Sequence, residues 1–451
     1  MRSIWFSRAA RAFVALALLS ATAATVVAAK PGPERPGRRR AVNLFAVTNA
    51  VLNVNRVFCG INNLGELCVD PTNSPVVGGG FWPKGSPDQY IFNSGLQLAG
   101  VIPPTAGGGK PTFPWAGDTV GAFFFDARGT QVQGDAITLV YNSLDPADAA
   151  AWPNGGIARD PALYHPVLLG RNSISQQDLW TRAWDGNPAF LSGRTHPMGI
   201  LVEERGLAWN FPTGNEDIIY FLFTFYNVTA SNANNCAAYA GLDPAIKDEI
   251  CAVGQNFQTR NEAVFNFSIP DGGYSIGSLY TAFSMDPDVG DAGRNYSTAI
   301  LPFNMGVAYK ADFLEPNWSF PAEIFGPPFV SSPGFVGVKY LLSPKVGGAE
   351  VGLTMFSNTR NASTGFPDPV GVLQLYRYLS GTVSPAKGDN PCTVAKPIES
   401  HLCFLDQTAA DTRFYQSSGP FTLAPGESQT IVVAYVHAAP LPDVVHHDRL
   451  R

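Results

Sequence analysis

The segment MDPDVGDAG, residues 285–293, concentrates the side chains that are best suited to chemistry. Its three carboxylates belong to Asp286, Asp288 and Asp291, and Asn295 follows closely as a further oxygen donor. Calcium takes about six to eight hard oxygen ligands, so closely spaced aspartates and turn carbonyls suit it. We therefore predict a candidate calcium site formed by Asp286, Asp288, Asp291 and Asn295.

The spacing of these acids differs from that of an EF-hand. Counted from Asp286, the acids occupy positions 1, 3 and 6, and Ser297 stands where an EF-hand has its bidentate glutamate. The alternative is a turn that ends a strand and whose acids accept hydrogen bonds from local amides. The sequence leaves both interpretations open.

A second set of residues could act on or bind carbohydrate. Four acids lie in or beside predicted central strands, and four tryptophans could stack on sugar rings: Glu203, Glu204, Glu216 and Asp217; Trp82, Trp180, Trp184 and Trp209. A glycoside hydrolase needs two carboxyls about 5–10 Å apart in one cleft, which sequence does not show. Buried, structural tryptophans are the alternative.

The segment GYSIG, residues 273–277, matches the G-x-S-x-G nucleophile pattern around Ser275. That motif requires a strand, a sharp turn and then a helix, whereas the following SLYTAFSM predicts a strand. None of the six histidines pairs with a Glu or another His at metal-ligand spacing on a predicted helix. We predict no catalytic residue, and enzyme activity stays undecided.

The composition predicts the elements that must position these side chains. Only 15% of the chain is charged, and it contains 45 Gly, 37 Pro and 30 Phe. Glycine and proline disfavour long helices, whereas aromatic residues favour half-buried sheet surfaces. We predict an all-β fold, a large β-sandwich with a few short helical insertions. It would be one supersandwich-like domain or two packed sandwiches.

Local patterns predict particular strands. Residues 198–209 and 216–229 are apolar enough to form paired central strands, and residues 275–288 lead into the acidic segment. Residues 420–438 predict a hairpin in which Pro425 and Gly426 suit the central positions of a type II turn. A hairpin is also predicted over 118–134.

Three short helices are predicted among the strands. One opens at Pro146 after Asp145, one covers residues 176–188, and one opens at Pro244 after Asp243. An aspartate followed by proline suits a helix start, because the carboxylate caps the first turn and proline lacks the N–H that would be unpaired there.

The N-terminal residues predict export. Arg2, Arg8 and Arg11 precede an apolar stretch, and Val27 and Ala29 fit a small-residue cleavage site. An uncleaved membrane anchor is the alternative. We assign residues 1–29 to a signal peptide, 30–41 to a basic Pro/Gly linker and 42–440 to the β-sandwich, with a candidate division near 205. Residues 441–451 are predicted to be a disordered tail, and the mature chain is predicted to have no transmembrane segment.

The six cysteines form three local couples, namely Cys59 and Cys68, Cys236 and Cys251, and Cys392 and Cys403. Short spacings favour pairing within each couple, and export would permit oxidation. A zinc site would normally show Cys-x-x-Cys spacing, which is absent.

The net charge of −6 argues against a nucleic-acid partner. We expect a secreted or cell-surface protein with a structural or binding role and no evident catalysis. Its partner would be a cell-surface or extracellular-matrix component, and glycan is a candidate.

Several ordered segments resemble one family of proteins. FWPKGSPDQYIFNSGLQLAG (81–100), GILVEERGLAWNFPTGNEDIIYFLFTFYNVT (199–229), MDPDVGDAGRNYST (285–298) and GPFTLAPGESQTIVVAYV (419–436) are similar to parts of large secreted bacterial β-sandwich proteins that often carry a type IX secretion sorting domain. The resemblance covers most of residues 50–440. It implies an extracellular β-sandwich module of mostly uncharacterised role.

The chain departs from this family at its C-terminus. It ends at Arg451 with no sorting domain. We expect either a truncated chain or a different route out of the cell.

Overall fold

The structure is a computed structural model that describes residues 49–70, 77–104, 114–122, 140–153, 171, 173–189, 191, 194–310, 333–360, 366–404 and 408–439. The predicted signal peptide, linker and tail lie outside these residues, as does most of the hairpin predicted over 118–134.

The described residues are dominated by β-strands. In chain order the strands are β1 (Asn49–Leu52), β2 (Phe58–Asn62), β3 (Glu66–Leu67), β4 (Val69–Asp70), β5 (Val77–Gly78), β6 (Gly80–Phe81), β7 (Gln89–Val101), β8 (Thr119–Ala122), β9 (Tyr141–Asn142), β10 (Gln177–Trp184), β11 (Ile200–Ala208), β12 (Ile218–Asn227), β13 (Ile276–Pro287), β14 (Asn295–Ile300), β15 (Met305–Lys310), β16 (Phe335–Leu342), β17 (Lys345–Val346), β18 (Ala349–Glu350), β19 (Met355–Arg360), β20 (Thr412–Leu423) and β21 (Ser428–Ala438).

Helices are few in this part of the chain. They are α1 (Pro146–Ala150), α2 (Pro244–Phe265), α3 (Val372–Ser380) and α4 (Pro397–Ser400), together with a helical turn over Ala233–Cys236 and short 3₁₀ turns at Asn215–Asp217, Ala237–Tyr239, Ala292–Arg294, Leu301–Phe303 and Pro385–Lys387.

The strands form two large antiparallel sheets. Among the described residues, sheet 1 has nine strands, in the order β1-β2-β3-β7-β13-β20-β19, with β6 and β8 paired beside this path. Sheet 2 has eight strands, in the order β14-β15-β16-β21-β12-β11-β10-β9. Two small hairpins, β4–β5 and β17–β18, stand outside these sheets.

The two sheets pack face to face around one large apolar core. Phe223 of sheet 2 lies 5.2 Å from Phe283 of sheet 1 between ring centroids, and Phe225 lies 5.9 Å from Phe421. Successive strand residues point to opposite faces, so every second side chain enters this core. The predicted all-β sandwich is confirmed.

Hydrogen bonds from side chains and from the backbone also join the two sheets at their edges. Gln177 of β10 accepts hydrogen bonds from Asn53 N at 2.8 Å and Val54 N at 3.0 Å, and it donates to Val51 O at 2.7 Å. At the other end, Asn295 of β14 forms a backbone bridge with Ala410, beside β20. The edge strands β1 and β14 are thus tied to the opposite sheet.

One predicted helix is wrong. Residues 177–184 form strand β10, which pairs with β11 along its whole length and with β9 at Leu179 and Trp180. The sequence there alternates between Asp178, Trp180 and Arg182 on one face and smaller residues on the other. The hydrogen-bond partners that the neighbouring strands supply outweigh the weak local preference for helix.

Other local predictions are confirmed. Asp145 and Asp243 cap α1 and α2, with Asp243 Oδ1 accepting from Ala245 N at 2.7 Å. The turn between β20 and β21 has Gly426 at a φ of +78°, which glycine tolerates at the third position of a type II turn. All three predicted disulfides are present: Cys59–Cys68, Cys236–Cys251 and Cys392–Cys403.

The described residues, which run from 49 to 439 with gaps, belong to one compact unit. Arg205, near the candidate domain division, lies within β11, and both neighbours of this strand belong to sheet 2. Within the described residues, none of the helices combines the length and apolar character needed to cross a bilayer.

Candidate functional site

The acidic segment begins where β13 ends. Met285 points into the core, so Asp286 points to the outer face of sheet 1. There it meets Arg413 of β20, whose Nε lies 2.8 Å from Asp286 Oδ2. Arg413 Nη1 lies 2.6 Å from Asp368 Oδ2, and its Nη2 lies 4.0 Å from Asp411 Oδ1. We call Asp286, Asp288, Asp368, Asp411 and Arg413 the acid cluster.

Burial and neighbouring carboxylates raise the pKa of two of these acids. Burial raises the pKa of Asp286 to about 7, with Arg413 opposing the rise and Asp411 and Asp288 adding to it. Burial and then Asp411 raise the pKa of Asp288 to about 6, against the pull of Arg413 and a hydrogen bond from Gln89. The cluster therefore has more carboxylates than its one guanidinium neutralises.

The other two predicted calcium ligands have structural contacts. Asp291 Oδ1 accepts from Gly293 N at 3.0 Å and so caps a 3₁₀ turn. Asn295 is fully buried; its Oδ1 accepts from Val289 N at 3.0 Å, and its Nδ2 donates to Asp291 O at 2.7 Å. Asn295 therefore holds the acidic loop closed and has no oxygen left facing an ion.

No group of three or more His, Cys, Asp or Glu side chains in the described part of the chain is arranged to hold a metal ion. The four predicted ligands are not brought together as a coordination shell in this structure. Calcium binding here stays a prediction. The turn interpretation accounts for the contacts of Asp291 and Asn295.

The predicted sugar-stacking platform does not form as proposed. Trp82, Trp180 and Trp184 are each at most 2% exposed. The guanidinium groups of Arg171 and Arg182 each lie 5.8 Å from the centroid of the Trp180 ring. Trp209 alone of the four predicted tryptophans is half-buried.

Glu203 and its partners form a buried ion-pair network on the outer face of sheet 2. Arg171 and Arg182 both contact Glu203, and Arg171 Nη1 lies 2.8 Å from Glu249 of α2. Burial works to raise the pKa of Glu203, but the two arginines outweigh it and lower that pKa. An ionised, doubly paired Glu203 is unsuited to general acid catalysis, and the network fixes α2 to the sheet.

Glu204 points the opposite way, into the core between the sheets. It lies opposite Thr181 of β10 and Phe223 of β12, and it is 1% exposed. Its Oε1 and the hydroxyl of Thr181 have no hydrogen-bond partner among the described residues. Burial raises the pKa of Glu204 well above its usual range, because the core disfavours the charged carboxylate.

Asp217 also has a structural role. It forms an ion pair with Arg56 and accepts from Trp82 Nε1 at 2.7 Å. Beside it, His437 packs against Trp82 with 5.8 Å between ring centroids, and burial lowers the pKa of His437 to about 4. Glu216 accepts from the backbone N–H of Gly214.

Ser275 lies in a loop that continues directly into β13. A nucleophile elbow would require a helix after the serine.

Sequence reasoning missed Arg413, Asp368 and Asp411. The segment DTR, residues 411–413, lies at the start of strand β20. Nothing in this short segment indicates that Arg413 contacts Asp286, which is more than a hundred positions earlier in the sequence. The pairing of β13 with β20 brings Arg413 beside Asp286.

None of the known protein families has a model that matches this chain, and no curated protein matches it. The resemblance to secreted bacterial β-sandwich proteins therefore stays a prediction, and the proposals below are based on the geometry.

Proposed function

We propose that this chain is an exported, disulfide-bridged β-sandwich protein with a structural or binding role at the cell surface or outside the cell. The observation that carries the proposal is that all six cysteines are paired in disulfides. Disulfides persist in oxidising compartments and are rare in the cytosol. The export signal predicted in residues 1–29 supports the same compartment.

The positions of the charged side chains favour a structural or binding role over hydrolysis. Glu203 and Asp217 are paired with arginines, and Glu204 lies in the core. The hydrolase alternative needs two carboxyls in one open cleft. The tryptophans proposed to flank such a cleft are buried, apart from Trp209.

The proposal includes stabilisation by calcium at the acid cluster. Together with burial, the charge of Asp411 raises the pKa of both Asp286 and Asp288, so a divalent cation bound beside them would reduce this repulsion. Thermal unfolding with calcium and with a chelator tests this part. We expect a higher midpoint with calcium and a smaller increase for Asp288→Asn; an unchanged midpoint would remove calcium from the account.

Localisation with thiol labelling tests the main proposal. The full chain and a variant lacking residues 1–29 are produced in the same cells, and each cell fraction is treated with a thiol-specific reagent under denaturing conditions. We expect the full chain outside the cytoplasm with no reactive thiol. The shortened chain should stay inside with reactive thiols. A full chain that stays in the cytoplasm with six reactive thiols would overturn the proposal.

Carbohydrate binding is the second candidate. It is favoured by one observation, the half-exposed position of Trp209 in a hairpin that also exposes Phe211. The resemblance to secreted bacterial β-sandwich proteins is in keeping with a partner at the cell surface or in the extracellular matrix.

A further inference from the structure

The hairpin loop between β11 and β12 presents aromatic rings at the surface. Phe211 is 71% exposed, the highest fraction among the aromatic side chains described as exposed. Trp209, two residues earlier, is half-buried, and its ring meets that of Tyr220 edge-on at 5.4 Å. We call Trp209, Phe211 and Tyr220 the hairpin patch.

The patch is held in place by its own hairpin. Tyr220 Oη donates to Asn215 Oδ1 at 2.9 Å, and the backbone N–H of Asn210 donates to the side chain of Gln176 in the turn before β10. The ring of Tyr220 supports that of Trp209 from the side. Phe211 is therefore presented on an anchored loop, and ordering it for a ligand costs little.

The tip of the hairpin, residues 209–215, carries no charged side chain. Residues 209–217 contain no Lys or Arg, and their only acids are Glu216 and Asp217. Glu216 accepts from Gly214 N, and Asp217 pairs with Arg56. The surface that remains consists of aromatic rings beside the exposed neutral side chains of Asn210 and Thr213.

We propose that the hairpin patch binds an uncharged saccharide chain. The C–H faces of a sugar ring pack against aromatic rings, while its hydroxyls bond to amides and hydroxyls such as those of Asn210 and Thr213. A neutral ligand suits a loop in which residues 209–215 carry no charged side chain. This inference rests on the binding role proposed above and names the ligand class.

Retention on insoluble polysaccharides tests this inference. The probes are cellulose, chitin, xylan and amylose beads, each incubated with the purified, oxidised chain. We expect retention by at least one probe and a loss of affinity of about tenfold for Phe211→Ala, since removing one stacked ring has roughly that effect. Phe303→Ala is the matched control, because Phe303 is also exposed, at 57%, and lies outside the hairpin.

The outcomes separate the two proposals. Retention by none of the four probes, or equal retention of Phe211→Ala and the wild type, would overturn saccharide binding at this patch. A concentration-dependent dimer that Phe211→Ala abolishes would overturn it as well, because the patch would then bind a second copy. In each case an exported and fully oxidised chain would leave the proposed function standing. Circular dichroism of Phe211→Ala verifies that the variant folds.

Discussion

Arg413 and Asp286 form an ion pair on the outer face of sheet 1, with 2.8 Å between Arg413 Nε and Asp286 Oδ2. The pair joins the end of β13 to the start of β20. Arg413 contacts three acids of the cluster, namely Asp286, Asp368 and Asp411. We conclude that it organises the segment that the sequence marked as a candidate metal site.

Replacing Arg413 with glutamine is expected to destabilise the fold by about 2–4 kcal/mol, because the substitution leaves partly buried carboxylates without a counter-charge. The loss should be larger at pH 8 than at pH 5. The pKa of Asp286 is about 7 in the folded protein, so the carboxyl is largely protonated at pH 5 and needs the guanidinium less. Urea unfolding at both pH values measures this, and Asp286→Asn in the Arg413→Gln background should recover part of the loss. Equal losses at the two pH values would contradict this role.

Glu204→Leu is expected to stabilise the protein by about 1–3 kcal/mol, because it replaces an unpartnered buried carboxyl with an apolar group of similar size. The pKa of Glu204 is raised above its unfolded value, so the native state binds the proton more tightly and stability falls as pH rises above about 4. The gain from the substitution should therefore grow with pH. Glu399→Leu, at an exposed position, should change stability little. A destabilised Glu204→Leu would show that Glu204 has a required partner.

His437 should make the protein less stable in mild acid. Its pKa is about 4 when folded and about 6.5 when unfolded, so the unfolded chain binds the proton first as pH falls. The contribution of the neutral imidazole to the free energy of unfolding is fully present above about pH 6.5. It falls by up to about 3 kcal/mol as the pH decreases towards 4. Asp286 and Asp288 act in the opposite direction, so the difference between wild type and His437→Gln isolates the histidine. Parallel stability curves for the two proteins would contradict this assignment.

The Cys392–Cys403 disulfide is expected to protect the edge of sheet 1. Phe356 N of the edge strand β19 donates to His401 O at 2.8 Å, and Asn358 N donates to Phe404 O at 2.8 Å. The disulfide holds this covering segment, and an uncovered edge strand can pair with another chain.

Replacing both cysteines with serine should therefore speed hydrogen exchange at Phe356 and Asn358 and promote self-association. Stability should fall by about 2–3 kcal/mol. The matched control replaces Cys236 and Cys251 with serine, because that bridge ties α2 to its lead-in turn and lies away from β19. Unchanged exchange in the Cys392/Cys403 variant would show that the edge is covered without the disulfide.

Sequence reasoning succeeded where the signal is local. Three kinds of feature illustrate this: the caps at Asp145 and Asp243, the turn at Gly426 and the three cysteine couples. In each of them the interacting residues are at most 15 positions apart in the sequence. The central strand β12 was predictable because residues 218–226 are apolar apart from Thr224. These features together determine the fold class.

Sequence reasoning failed where distant partners decide the outcome. Strand β10 carries Trp180 and Arg182, which are buried beside Arg171, Glu203 and Glu249 from other elements. Glu203 and Glu204 are neighbours in sequence, yet one lies in an ion-pair network and the other in the core. Their roles follow from the pairing register of β11, which no local pattern contains.

The mass of the chain recovered from its natural location tests the central claim most directly. The account predicts a protein outside the cytoplasm whose intact mass corresponds to removal of residues 1–29 and loss of six hydrogens through three disulfides. Reduction should restore those six hydrogens. A cytoplasmic protein with an uncleaved N-terminus and six free thiols would contradict the account.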